Sequence, residues 1–376
     1  MRGLIVHEWV EQRGGSENVL EAIADAFPTA PVLVPWSNAP ERLAGHRVHQ
    51  SRLARTPIRR SKPAAALVLP VAWRRMVPRS RTFDWVIASS HLFSHHVRAR
   101  GVEGDAPKFV YVHSPARYIW NPELDQRGAG AVARALGAAL KPLDRHRAGE
   151  AHRIAANSAF VRDRVRTAWE RDASVIHPPV DVDRVAAQAE HPELDPAETA
   201  ALAALPGPFL LGASRFVSYK QLDRVIAAGE SAGLPVVLAG AGPDEAALRA
   251  RAAAARVPVT FVLTPSDRML AALYAAAAVF VFPALEDFGI MPVEAMAAGT
   301  PVVARREGGT GESVVDGVSG VLVDDVDDDD ALATAVARAA SLDPAAVRAR
   351  AAAFSVAAFQ QHVRDWVAEG LAESSR

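Results

Sequence analysis

The sequence predicts two α/β domains, each a doubly wound parallel sheet, on three observations. The chain has 376 residues, more than one hydrophobic core ordinarily serves, and half of them are apolar. Short apolar runs recur, each followed by turn residues and a helix-like segment. Parallel strands need such crossovers, and burial on both faces makes them continuously apolar. This alternation occurs as two series, with prolines and acids interrupting it between them.

The first series is "GLIV", "APVLVPW", "DWVIASS", "KFVYVHS", "RIAANS" and "ASVIHPP", which assigns residues 1–180 to an N-terminal domain. The interruption lies within "VIHPPVDVDRVAAQAEHPELDPAETAALAALPGP", so residues 181–205 are expected to be a linker. The second series, "PFLLGAS", "LPVVLAGAG", "VPVTFVL", "AVFVFPA", "TPVVA" and "SGVLVDD", assigns residues 206–354 to a C-terminal domain. In residues 355–376, Val356, Phe359, Val363, Trp366 and Val367 recur at near-helical spacing. They predict an amphipathic helix that needs a surface to cover and packs back toward the N-terminal domain.

Composition excludes several classes. A formal net charge of -1 leaves no global basic field for nucleic acid. Without cysteine there are no disulfides and no thiolate metal sites, which fits a cytoplasmic location. The N-terminus "MRGLIVHEWV" reads as a first strand rather than a secretory signal, and no apolar run approaches the roughly 18 residues that span a bilayer.

Ligands of open α/β sheets bind beyond the carboxyl ends of strands. In "FLLGASRFVSYKQLDRVI", Arg215 and Lys220 stand between a strand and a helix, where both could converge on a diphosphate beside a helix N-terminus. A solvated pair of cations reads the same way. In "VVLAGAGPDEAAL", Gly240 and Gly242 follow a strand, but Glu245 stands where a dinucleotide fingerprint needs its third glycine. Gly242 therefore marks a close approach of backbone to a nucleotide or an ordinary turn, and a dehydrogenase is disfavoured.

"EDFGIMPVEAMAAGTPVVA" holds two carboxylates. Glu286 lies in a loop beside Gly289, where it can accept hydrogen bonds from hydroxyls. Glu294 is expected in the first turn of a short helix opened by Pro292 and closed by Gly299, where a carboxylate is favourable without any ligand. A second glycine loop, "REGGTGES", is expected beside the same pocket. In the first half, Gly14 and Gly15 precede Ser16, the expected N-cap of a helix, and His113 ends a strand in "FVYVHSPARYIW". The glycine pair admits a ligand or forms a tight turn, and a lone histidine is ordinarily structural. No Gly-x-Ser-x-Gly elbow, H-E-x-x-H or Walker loop accompanies these residues, so no metal is expected.

Between Arg42 and Arg81 stand eleven Lys or Arg and no Asp or Glu, interleaved with Leu53, Ile58, Leu67, Val68, Leu69, Trp73 and Val77. Residues 42–81 are either a solvated region or a contact with anionic lipid or an anionic acceptor. The acidic run "DDVDDDDALATAV" reads as a solvated loop and helix start.

In the order "HEWVEQRGGSENVLEAIADAFP", "YVHSPARYIWN", "IAANSAFVRDRV", "VIHPPVDVDR", "SRFVSYKQLDRVI", "EDFGIMPVEAMAAGTPVVA" and "GGTGESVVDGVSGVLV", nearly the whole chain resembles the retaining, nucleotide-sugar-dependent glycosyltransferases of family 4. It is most similar to bacterial GDP-mannose-dependent mannosyltransferases. The resemblance implies the GT-B fold, two facing Rossmann-like domains with a cleft between them, and bacterial glycan biosynthesis; the expected location is cytoplasmic, and peripheral to the inner face of the plasma membrane where residues 42–81 contact lipid. It implies a nucleotide-sugar cosubstrate, GDP-mannose with a UDP-sugar as alternative, no cofactor or metal, and a glycan, lipid-linked or small-molecule acceptor. Arg215 and Lys220 would bind the diphosphate and stabilise its developing charge. Glu286 would hold sugar hydroxyls beside the backbone of Phe288, Gly289 and Ile290, and Glu294 the ribose. Gly14 and Gly15 would let the first loop approach the donor, and His113 would stand near the reacting centre. The alternatives are a GT-B sugar-nucleotide epimerase and a non-catalytic glycan- or lipid-binding protein. One departure concerns the strand end before "SDRML", where the family often has glycine and this chain has Leu263 and Thr264.

Overall fold

The computed structural model describes residues 1–120 and 131–374. Two compact units make up the chain, residues 1–179 with 357–376, and residues 180–356. Asn121, which ends "YVHSPARYIWN", and the last two residues of the expected C-terminal helix lie outside the described residues.

The first unit holds seven strands: β1 (Gly3–His7), β2 (Val32–Val34), β3 (Val48–Gln50), β4 (Trp85–Ser90), β5 (Lys108–Val112), β6 (Arg153–Ala156) and β7 (Ser174–Val175). They pair in parallel in the order β3-β2-β1-β4-β5-β6-β7. The second unit holds β8 (Leu210–Ala213), β9 (Val236–Gly240), β10 (Val259–Leu263), β11 (Val279–Phe282), β12 (Val302–Arg305) and β13 (Gly320–Val323). These pair in parallel in the order β10-β9-β8-β11-β12-β13. Burial explains the apolar runs: every residue of β1, β4, β5, β8 and β11 is buried, as both faces of the sheets are covered by helices.

Both sheets reverse their winding direction at one point, between β1 and β4 and between β8 and β11. Loops leaving neighbouring strands diverge there and open a crevice, the usual ligand position in this architecture.

Residues 181–205, expected as a linker, instead form helices Val182–Glu190 and Pro196–Ala203 of the second unit. The acids and proline that interrupt the apolar pattern are helix starts. Asp181 accepts from Arg184 N–H at 3.2 Å, Asp195 accepts from Glu198 N–H at 2.8 Å, and Pro196 occupies the first turn. Val182 and Val185 are buried in the second core.

The C-terminal helix Val356–Ser374 belongs almost wholly to the first unit. Phe359 meets Tyr111 and Trp366 meets Phe109 at ring separations of 5.7 and 5.2 Å, and Arg153 binds Glu369 at 3.1 Å. Among the described residues no helix is long and apolar enough to cross a membrane.

Candidate functional site

In the second unit the loops after β8 and β11 carry the predicted cations and carboxylate. Lys220 closes the turn Ser218–Lys220, and Gln221 takes a left-handed φ of 51° to start helix Leu222–Ala232. Lys220 Nζ donates to Glu286 Oε1 at 2.5 Å, and both side chains are largely shielded, at 13% and 18% exposure. Partial burial strengthens the pair, while remaining access lets a ligand reach it. Arg215 is exposed and donates from Nη2 to Tyr219 Oη at 2.9 Å. Lys220 Nζ lies 5.4 Å from the ring centres of Tyr219 and Phe282, so Tyr219 links the two cations.

The glycine loop "REGGTGES" holds the Glu286 loop from behind. Gly309 N–H donates to Glu286 O at 2.9 Å, and a Cβ on Gly309 would fall 2.0 Å from Asp287 O. Gly289, with φ 85°, is the N-cap of helix Ile290–Ala297. Thr310 Oγ1 would be 2.5 Å from a Cβ there. Phe288 is buried against Phe354 at 5.4 Å between rings.

Two expectations change. The helix starts at Ile290 rather than Pro292, because Gly289 supplies the left-handed turn; Glu294 therefore lies in its second turn, beyond the end charge. Its partner is Tyr274 Oη, which donates at 3.2 Å, and burial raises its carboxyl above the ordinary range. Gly242 packs closely against the loop after β8, where a Cβ on it would lie 2.3 Å from Phe216 O. Ser16 is not an N-cap: helix Gly15–Ala26 starts from Gly14, and Ser16 Oγ donates to Glu17 at 2.8 Å. Gly14 and Gly15 are exposed at that helix start. The departure at Thr264 also acquires a meaning, because its φ is 45°, a conformation natural to glycine and strained for a β-branched residue.

In the first unit His113 is one of a cluster that sequence spacing does not reveal. Its Nε2 lies 2.8 Å from Ser89 Oγ, which is also 3.0 Å from His7 Nδ1. The rings of His7, His91 and His113 are 5.5 to 6.2 Å apart, and Trp9 meets His91 edge-on at 5.4 Å. Glu8 is fully buried below them and accepts from Leu92 N–H at 2.9 Å and Ser94 N–H at 2.8 Å. Burial pushes its carboxyl up, but His91, His7 and the Ser94 N–H outweigh that and hold it at about 2. Burial keeps His7 and His113 below the ordinary imidazole value. The parallel register, which sets His7 opposite Ser89, 82 positions away, assembles the cluster, and spacing along the chain carries no signal of it.

Two family models match the chain: "Glycosyltransferase Family 4" over residues 13–184 and "Glycosyl transferases group 1" over residues 200–356. D-inositol 3-phosphate glycosyltransferase of Mycobacterium sp. (strain KMS) is 35% identical over 190 residues, 46% of this chain and 42% of that protein. The enzyme of that name from Mycobacterium avium (strain 104) is 35% identical over 219 residues, 52% of this chain and 50% of its own length. The chain spans about half the length of the curated relatives it matches. Anabaena Alr3699/HepE, solved with UDP, superposes with a TM-score of 0.69 at 20% identity over 98% of this chain and 100% of that one. Sucrose-phosphate synthase from Thermosynechococcus elongatus gives 0.67 at 18% identity over 99% and 100%. At these identities the two structures speak for the fold alone.

Proposed function

We propose that this chain, which belongs to family 4 of the glycosyltransferases and has the GT-B fold, transfers a hexose from a nucleotide-sugar to an acceptor hydroxyl with retention of configuration. The observation that carries this reading is the Lys220–Glu286 pair, 2.5 Å apart at the switch point of the second sheet. A donor entering there offers each partner a substitute. Its diphosphate takes Lys220 and Arg215, and its sugar hydroxyls take Glu286.

As the glycosidic bond breaks, negative charge grows on the leaving phosphate, and fixed cations lower that barrier. The acceptor proton passes to the leaving phosphate, so no protein nucleophile is required. Glu294, held by Tyr274, binds the ribose, and the N–H groups of Gly289 and Ile290 face the donor. Gly14 and Gly15 contribute to donor binding, and His113 to the reacting centre.

GDP-mannose is the donor in this reading, supported by the motifs. A UDP-sugar is the second reading, supported by solved neighbours whose titles name UDP and UDP-glucose. The acceptor is a glycan, a lipid-linked sugar or a small polyol; the relatives' names favour an inositol phosphate for those proteins. On the first unit, helix Lys62–Met76 buries Ala65, Leu69 and Trp73 but exposes Leu67, Val68 and Val71. With Arg55, Arg60, Arg75 and Arg79 in the same segment, residues 42–81 would rest on an anionic membrane at its cytoplasmic face.

The test is a panel of nucleotide sugars followed for nucleoside diphosphate release, with mass spectrometry of the product. Release with GDP-mannose that disappears in Lys220→Ala and Glu286→Ala is expected. Wild-type turnover in both variants sinks the assignment, and an epimerised donor formed without acceptor replaces transfer by epimerisation. Pelleting with anionic vesicles, abolished by salt, is expected of the basic segment; no pelleting removes the membrane contact.

A further inference from the structure

We propose that His7, Glu8 and His91 form a zinc-binding site at the switch point of the first sheet, open to solvent on the His91 side. This site does not depend on the transferase reading.

Parallel pairing of β1 with β4 sets His7 opposite Ser89, so the loop after β4 returns His91 over Glu8. Each of the three side chains offers one donor atom, and these atoms lie within 4.8 Å of one another. Zinc holds nitrogen and carboxylate donors at about 2.0–2.2 Å, so closure requires each donor to move by about 1 Å.

Two ring nitrogens in the cluster, His7 Nε2 and His91 Nδ1, are buried and make no hydrogen bond among the described residues, and one of them faces a carboxylate: His91 Nδ1 stands 3.4 Å from Glu8 Oε2. Buried polar atoms ordinarily find partners, which makes a convergent set of orphans a vacancy for a ligand. The surrounding contacts prepare the donors. Ser89 O, 3.2 Å from His7 Nδ1, can only accept, and Ser89 Oγ, 3.0 Å away, can accept there while donating to His113 Nε2; with the proton so placed on Nδ1, the Nε2 lone pair is bare. The Leu92 and Ser94 N–H groups both donate to Oε1 of Glu8, fixing the carboxylate while Oε2 faces His91. The His91 side chain is 28% exposed and gives the ion an entrance.

A second cluster of the same residue types shows what distinguishes a site from a structural knot. His95, His96 and Asp144 are wholly buried, and Asp144 is saturated. Its Oδ2 accepts from Trp120 and Trp169 Nε1, both at 2.8 Å, and its Oδ1 meets His96 Nε2 at 3.0 Å. His95 Nε2 also lacks a hydrogen bond there, 3.1 Å from Asp144 Oδ1, but every member of the cluster is enclosed and no ion has an entrance. At the first cluster, two imidazoles and one carboxylate with an open fourth position suit zinc rather than magnesium or calcium, which prefer all-oxygen shells.

The experiment titrates zinc chloride into the full chain against a chelating dye and measures zinc retained after desalting. One zinc per chain is expected, with a raised melting temperature. His91→Ala should weaken binding by at least about tenfold, a cost that even outer-shell changes to metal sites carry. His91→Gln, which keeps the bulk of the side chain, should do the same, and the melting temperature of both variants without zinc checks their folding. Absence of retained zinc in the wild type, or unchanged affinity in both His91 variants, overturns the proposal.

Discussion

At the switch point of the first sheet, β1 and β4 deliver His7, Glu8 and His91 into a cluster whose carboxylate is held by backbone N–H groups while two imidazole nitrogens make no hydrogen bond among the described residues. At the same point of the second sheet, β8 and β11 deliver Lys220 and Glu286 as one ion pair under partial cover. The difference teaches how burial divides stability from function on a shared topology. Groups deep in the first unit leave water on folding, so their protonation is tied to folding. The pair in the second unit keeps enough access for a ligand to take over its mutual contact, a phosphate for Lys220 and hydroxyls for Glu286.

The largest expected effect tests that division directly. Lys220→Ala and Glu286→Ala should each lower kcat/KM by about a hundredfold or more, while thermal unfolding shifts little. Loss of folding in either variant would make the pair structural and break the comparison.

Acid should act mainly on the first unit. Burial, then His95, lowers His96 from 6.5 to about 4, and burial also lowers His7 and His113. As pH falls through 6.5 toward 4, the unfolded chain takes up protons that the folded unit does not, and stability is lost. Glu294 has the opposite sign: its raised carboxyl stabilises below the ordinary carboxylate range, and that contribution is lost as pH rises. All 7 tryptophans, Trp9, Trp36, Trp73, Trp85, Trp120, Trp169 and Trp366, lie in the first unit, so denaturant melts followed by their fluorescence report on it selectively. A tryptophan-detected stability independent of pH over that range counts against buried neutral histidines.

Gly309→Ala should cost about 1–3 kcal/mol in the second unit and depress transfer, since its Cβ would strike the carbonyl of Asp287 and shift the Glu286 loop. Retained stability and activity would show that the loop yields freely. The smallest effect runs the other way. Thr264→Gly should raise stability by about 1 kcal/mol, by relieving the left-handed backbone, as measured by urea unfolding.

The sequence by itself determined the two series of buried strands, because continuous apolar runs leave parallel sheets as the way to cover both faces. It also determined the loops in which Lys220 and Glu286 stand, and Gly299 as the residue after a helix, where φ is 92°. Local pattern misled where one residue type serves two purposes. Asp181 and Asp195 read as breaks in apolar periodicity and are caps of helices; Glu294 reads as a helix-end charge and faces Tyr274. Only tertiary structure decided that Lys220 touches Glu286, 66 positions away, and that His91 returns over Glu8. Parallel strands cause this: each crossover separates paired residues by tens of positions, so the register that assembles a site is set by sheet packing and not by spacing along the chain.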